Sequence, residues 1–299
     1  MFFLSERLPL EGIEFATPPS GCAIAYGVLT VLFGRLFFKK STDIRIQTTQ
    51  MILEKPNYRN YILKSLSDDE RASIEPALEP VTLDFRFQIE IANKPIPHVY
   101  FLESGIASTV GAVMRGRQIE LGIVGREGMT GVSVVLGGNQ SPYECFMQMG
   151  GTGFRISSEQ LTMAIDASPS LGAKLLTFAQ TFLTQVASTA QTNGHATLET
   201  RLARWLLMVH DRADEDMLPI THEFLAVMVG VRRSGITVAL HKLEGDHMIQ
   251  SKRGRVLVRD RQKLVEFAKG FYGSAEQEYA RLTGQPLSKH AIGAGDFQS

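Results

Sequence analysis

Nine cationic side chains crowd into residues 231–263: Arg232, Arg233, Lys242, Lys252, Arg253, Arg255, Arg259, Arg261 and Lys263. Only Glu244, Asp246 and Asp260 oppose them, so the segment carries a net +6. Cations at this density are suited to one task above others, neutralising a polyanion and releasing its condensed counterions. The residues between them have helical spacing. Thr221 is a suitable N-cap for a two-turn helix with Phe224, Leu225 and Met228 on one face, and Gly230 ends it. A second helix, Arg232–Leu243, buries Ile236, Ala239, Leu240 and Leu243. Two short helices joined by a tight Gly-containing turn form a helix-turn-helix. At 100° per residue the outward face of the second helix carries Ser234, Thr237, Val238 and His241, with Arg233 at its N-terminal edge. These side chains are short, polar or cationic, as entry into a major groove about 12 Å wide requires. Arg233, Ser234, Thr237, Val238 and His241 are therefore the candidates for base edges. After Gly245-Asp246, the segments Met248–Ser251 and Arg255–Arg259 flank Arg253-Gly254 and read as a basic hairpin wing. Arg232, Thr221 and Lys242, with Lys252, Arg253 and Arg255 on the wing, are the candidates for phosphates.

The rest of the chain balances this charge. The 299 residues contain 31 Lys and Arg against 31 Asp and Glu, so everything outside the basic segment sums to −6. With 44% hydrophobic and 21% charged residues the composition is that of a globular protein of one or two domains. Two cysteines, Cys22 and Cys145, exclude a disulfide framework, a four-cysteine zinc site and a four-thiolate cluster, and point to a reducing cytoplasm. No metal site is expected. Neither a Gly-rich phosphate loop, an H-E-x-x-H motif nor a G-x-S-x-G elbow occurs, so an enzyme is not expected. The one long apolar run, residues 21–38, is of marginal length for a membrane span, which needs roughly 20 apolar residues, and is interrupted by Arg35; a membrane-associated segment is the alternative reading of it. Residues 1–50 read as a poorly ordered extension, with Met51 opening the periodic part, and no stable membrane association is expected.

Two kinds of element must position the basic segment. From Val81 to Ile89 apolar and polar residues alternate, predicting a strand with one buried face. Further short strands are predicted at Val99–Leu102, Ile106–Met114, Ile119–Val124, Cys145–Met149 and Gly153–Ile156, with Gly- and Asn-rich turns between them, the pattern of a sandwich or barrel. Residues 59–79 before them look helical, opened by Ser67-Asp68-Asp69-Glu70. A long helix starts at Ser168-Pro169 and is expected to break at Asn193-Gly194. It carries two apolar stripes: Leu171, Leu175, Phe178 and Phe182, and Leu176, Ala179, Leu183, Val186 and Ala190. Two stripes need two packing partners, the chain's own strands and a partner helix.

At this point the sequence resembles the Crp/Fnr superfamily of bacterial transcription regulators over about Asn60 to Gly284. The resemblance is carried by PIPHVYFLESG (95–105), GREGMTGVSVVLGG (125–138), LETRLARWLL (198–207) and LAVMVGVRRSGITVAL (225–240). It implies an α+β chain of two domains: a β jelly-roll effector domain (51–168), a long dimerisation helix (169–194) with Leu171, Leu175, Phe178 and Phe182 at the dimer contact, and a C-terminal winged helix-turn-helix (195–284), followed by a disordered tail (285–299). Double-stranded DNA and a second copy of the chain are the implied partners, with RNA polymerase a further candidate. The effector pocket would involve Gly125, Glu127, Gly128, Met129, Tyr143 and Glu144. In cyclic-nucleotide-binding members an Arg-Ser/Thr pair holds the cyclic phosphate, and here Tyr143-Glu144 falls near its place. A carboxylate there repels a phosphate, so no cofactor and no cyclic nucleotide is expected. The expected function is a cytoplasmic regulator reading a near-palindromic DNA site as a homodimer. The alternative is a sensing module that uses its helix-turn-helix to dock on a protein.

Overall fold

The computed structural model describes residues 57–113, 117–268 and 270–288, so the expectations for residues 1–50 and for the tail beyond 288 lie outside the described residues. Two short helices, α1 (Tyr61–Lys64) and α2 (Asp68–Ile74), lead in. The latter starts on a capping box: Ser67 Oγ accepts from the Glu70 amide, while the Glu70 carboxylate accepts from the Ser67 amide. The strands β1 (Glu79–Leu83), β2 (Gln88–Glu90), β3 (His98–Leu102), β4 (Ile106–Val113) and β5 (Arg117–Val124) follow, then helix α3 (Val132–Val135), then β6 (Glu144–Met149) and β7 (Gly151–Ser157). They form two antiparallel sheets, β1-β7-β3 and β2-β6-β4-β5, which make a jelly-roll-type sandwich. The alternation from Val81 to Ile89 predicts one strand, but the structure breaks it in two. Arg86 adopts φ 66° and the chain changes sheets there, β1 pairing with β7 and β2 with β6. Period two persists through the corner, which hides the break, and Phe85 and Phe87 are exposed rather than buried.

Ser157 and Ser168 cap the next two helices, α4 (Ser158–Ala167) and α5 (Pro169–His195). The helical ladder of α5 runs on through Asn193-Gly194, where a break is expected, and ends only at His195. After it come α6 (Leu198–Arg212), β8 (Met217–Leu218), α7 (His222–Val229), α8 (Arg233–Gly245), β9 (Ile249–Lys252), β10 (Arg255–Val258), α9 (Arg261–Phe267) and α10 (Ser274–Thr283). The three strands form a small sheet ordered β8-β10-β9. The chain is thus an α+β protein of two domains, a sandwich followed by a winged helix-turn-helix. Residues 285–288 continue the ordered path, and Leu287 is buried.

The apolar stripes of α5 divide the opposite way from the expectation. Leu171, Leu175 and Phe178 belong to the sandwich core, with Phe182 packed against it, so the four residues assigned to the dimer contact are consumed inside one chain. Leu176 and Leu183 are each about half exposed, and the outward row Ala173, Leu176, Gln180, Leu183, Ala187, Ala190 has the 3–4 spacing of a coiled-coil seam. Ala179, read from sequence as part of that second stripe, is buried. Gly128 lets α5 approach: a Cβ there would lie 2.1 Å from the Phe178 ring. Gly128→Ala should therefore lower unfolding stability by about 1–3 kcal/mol, measured by urea denaturation, and the added substitution Phe178→Leu should recover part of the loss.

Candidate nucleic-acid interface

Each bend of the helix-turn-helix has a local cause. Thr221 Oγ1 accepts from the Phe224 amide at 3.1 Å and so starts α7. Gly230, at φ 72°, takes the left-handed position that closes the helix, its amide returning to Ala226 and Val227 carbonyls. The next helix leaves at 103° to the first. Ile236, Ala239, Leu240 and Leu243 are all buried, so the register of α8 is fixed by its apolar side. The opposite side then faces outward. Arg233, Ser234, Val238 and His241 are exposed, while Thr237 is half-buried and its hydroxyl donates to the Arg233 carbonyl at 3.2 Å. Arg233 Nη1 lies 3.0 Å from Glu223 Oε1, with both side chains largely exposed. An ion pair so exposed is worth less than about 1 kcal/mol, so the guanidinium is free to exchange this partner for another acceptor. Thr221, Arg232 and Lys242 are exposed around the same face, and Lys252, Arg253 and Arg255 on the β9–β10 hairpin beside it. Three polar residues of this face carry no periodic signal and escape a reading of the sequence: His222, Glu223 and Glu244 act across elements, where spacing along the chain says nothing.

The residues assigned to an effector pocket are not brought together. Gly125, Glu127, Gly128 and Met129 follow the C-terminal end of β5 and are buried. Glu144 accepts from Gln118 Nε2 near the other end of that strand, about 20 Å away along the rise of an extended chain, and Tyr143 is exposed. What meets the 125–128 loop is the chain itself. Arg212 Nε donates to Glu127 Oε1 at 2.7 Å with side-chain exposures of 2% and 3%, and the Gly125 amide donates to both Glu127 carboxylate oxygens. Arg126 pairs with Asp214, which also holds Arg59 at 2.9 Å. Tyr279 of α10 donates its hydroxyl to the Glu127 carbonyl at 3.2 Å. Burial works against charge on Arg212, but the Glu127 and Asp211 carboxylates outweigh it and hold its pKa above the ordinary value.

Residues 200–267 match the family described as the Crp-like helix-turn-helix domain. The chain carries a Crp-like helix-turn-helix domain. Among solved structures, it is similar to a crp/fnr-family protein from Eubacterium rectale, at 20% identity and a TM-score of 0.56 over 71% of this chain and 100% of that one. FixK2 from Bradyrhizobium japonicum aligns at 17% identity and 0.56 over 64% and 96%. A CRP-family transcriptional regulator from Thermus thermophilus aligns at 20% and 0.53 over 63% and 96%. The order of sandwich, long helix and winged helix-turn-helix is therefore the Crp/Fnr fold. No curated protein matches the sequence. Among the described residues no single helix is long and apolar enough to cross a membrane.

The Crp-like domain also reaches the sandwich through a buried acid. Trp205 Nε1 on α6 donates to Glu120 Oε1 on β5 at 2.6 Å, and Ser108 Oγ lies 2.8 Å from the other carboxylate oxygen and 2.6 Å from Gln148 Oε1. Burial pushes the Glu120 pKa up to about 8, against the bonds from Ser108 and Trp205. The Ser108 hydroxyl has one proton for two acceptors, and the raised pKa favours the neutral acid, whose proton can serve Ser108 when Ser108 donates to Gln148. A carboxyl whose folded pKa exceeds its unfolded value of about 4.3 costs nothing in acid. Its destabilising effect grows as pH rises above about 4.3 and is complete above about 8. Glu120→Gln keeps the acceptor for Trp205 and a donor for Ser108, so it should flatten this fall in stability. The check is the urea midpoint between pH 5 and 8, followed by the fluorescence of Trp205, the sole tryptophan.

Proposed function

We propose that the protein is a transcription regulator that binds double-stranded DNA in a sequence-selective manner, acting in the cytoplasm and without enzymatic activity. One observation carries this reading: the outward face of α8 in a Crp-like domain presents Arg233, Ser234, Val238 and His241, flanked by exposed cations on the helix-turn-helix and its hairpin. α8 enters the major groove. Arg233 is the candidate for bidentate contact with guanine and Val238, two-thirds exposed, for a thymine methyl. Arg232, Thr221 and Lys242, with Lys252, Arg253 and Arg255 of the wing, meet phosphates, which set affinity and register rather than sequence. The test is selection of binding fragments from random duplex DNA by the purified protein, followed by gel shifts at two salt concentrations. Absence of salt-sensitive binding would refute the reading. With the selected site in hand, Arg233→Ala should cost about 1–3 kcal/mol and relax preference at one position. Arg253→Ala should weaken selected and random duplexes alike and reduce the salt slope by about one.

The same reading has the protein act as a homodimer on a near-palindromic site with half-sites about 34 Å apart. Its seam is the outward row of α5 around Leu176 and Leu183, supported by their exposure and their heptad spacing. Leu183→Glu should convert the dimer to monomers in sedimentation and weaken binding to the two-half-site duplex by at least about tenfold, because each half-site then binds alone. A cyclic nucleotide is not part of this reading, which is supported by Phe178 covering Gly128 and Arg212 pairing with Glu127.

A further inference from the structure

The recognition helix and the wing belong to different parts of the Crp-like domain, yet both must meet the same duplex. α8 is positioned by its apolar face on the domain core, whereas β9 enters that core only at Ile249 and runs on to Lys252 as the edge of a three-stranded sheet. The His222 side chain bridges the two. Because Thr221 caps α7, His222 is the first residue of that helix, and the 103° turn carries it over the middle of α8. Its Nδ1 lies 3.3 Å from Thr237 Oγ1 on α8 and its Nε2 lies 3.2 Å from Ser251 Oγ on β9. The Thr237 hydroxyl already donates to the Arg233 carbonyl, so its oxygen accepts from the imidazole. Nδ1 therefore donates to Thr237, which leaves Nε2 for the Ser251 hydroxyl. One ring thus engages both hydroxyls. Glu244 of α8 adds a second tie to the same wing residue, accepting from the Ser251 amide at 2.9 Å.

We propose that His222 is a positioning residue for DNA recognition, holding the wing hairpin at a fixed distance and angle from the recognition helix through Thr237 and Ser251. The inference rests on the DNA-binding reading above. Two contacts on one rigid body bind together at little added cost in entropy, whereas a loosely hung wing must be ordered anew on each binding event. His222 itself touches neither base nor phosphate. Its effect is carried by Lys252, Arg253 and Arg255, the cations that follow Ser251.

The test uses the full chain, a selected duplex and a random duplex of equal length. His222→Phe keeps the ring and removes both hydrogen bonds. It should weaken the selected duplex about tenfold and reduce the salt slope by about one, as cations of the wing lose their phosphates, with melting temperature unchanged. His222→Gln again offers one donor and one acceptor and should return affinity to within about twofold. Ser251→Ala should reproduce the effect of His222→Phe, and the double variant should be no weaker than either single one. Wild-type affinity and slope in His222→Phe would overturn the proposal, as would equal losses in the Phe and Gln variants accompanied by a fall in melting temperature. If the wild-type chain binds no duplex in a salt-sensitive way, the DNA-binding reading fails and this inference with it. Wild-type binding with an unaffected His222→Phe variant removes the inference alone.

Discussion

The arrangement of the two domains depends on one buried ion pair, Glu127 with Arg212. Glu127 belongs to the loop that ends β5, and Arg212 is the last residue of α6, so the pair joins sandwich to winged helix in a place closed to water. Removing two charges from water costs several kcal/mol each, and further hydrogen bonds on both partners offset this. The Gly125 amide supplies the carboxylate and the Met208 carbonyl accepts from Arg212 Nη1. Such a pair adds little stability over apolar residues of the same volume. Breaking it by removing one partner costs about 3–5 kcal/mol, however, because an unpaired charge stays buried. Its effect is on specificity of arrangement: any packing that separates the loop from α6 is penalised.

With that pair closed, the remaining contacts between the domains fall into register. Trp205 reaches Glu120 on β5, Tyr279 of α10 reaches the Glu127 carbonyl, and the Gly230 turn lies against Ile119, where a Cβ would come within 2.9 Å of the Ile side chain. The core around α6 accordingly takes in Ile106, Val110 and Ile123 from the sandwich. These contacts use the inner side of α6, the end of α7 and α10. The outer side of α8 is left out of them, which is why the cations and short polar side chains remain exposed while the domains are firmly joined. The loop that the resemblance suggests for an effector meets the chain's own Arg212 and Tyr279.

Much of this was legible along the chain. The capping residues Ser67, Ser168 and Thr221, the αL glycine Gly230, the strands from β3 to β7 and the buried face of α8 all follow from local rules, because each depends on neighbours within about four residues. The readings that failed depended on distant partners. The strand at Val81–Ile89 continued its alternation through a corner at Arg86 where the chain changes sheets, and α5 ran through Asn193-Gly194. Both stripes of α5 were visible, but not which one the sandwich would claim. The pocket residues Tyr143 and Glu144 were placed by resemblance, and they lie near the far end of the strand that leads to Glu127.

The sequence by itself determined the order of elements, the polarity of the recognition helix and the concentration of charge in residues 231–263, since helical and strand periodicity and net charge are properties of adjacent residues. Only the tertiary structure decided that Leu176 and Leu183 face outward, that Glu127 is neutralised by Arg212 across 85 positions of chain, and that His222 spans from α8 to the wing. Side chains meet across elements according to packing angles and burial, and a one-dimensional pattern carries neither.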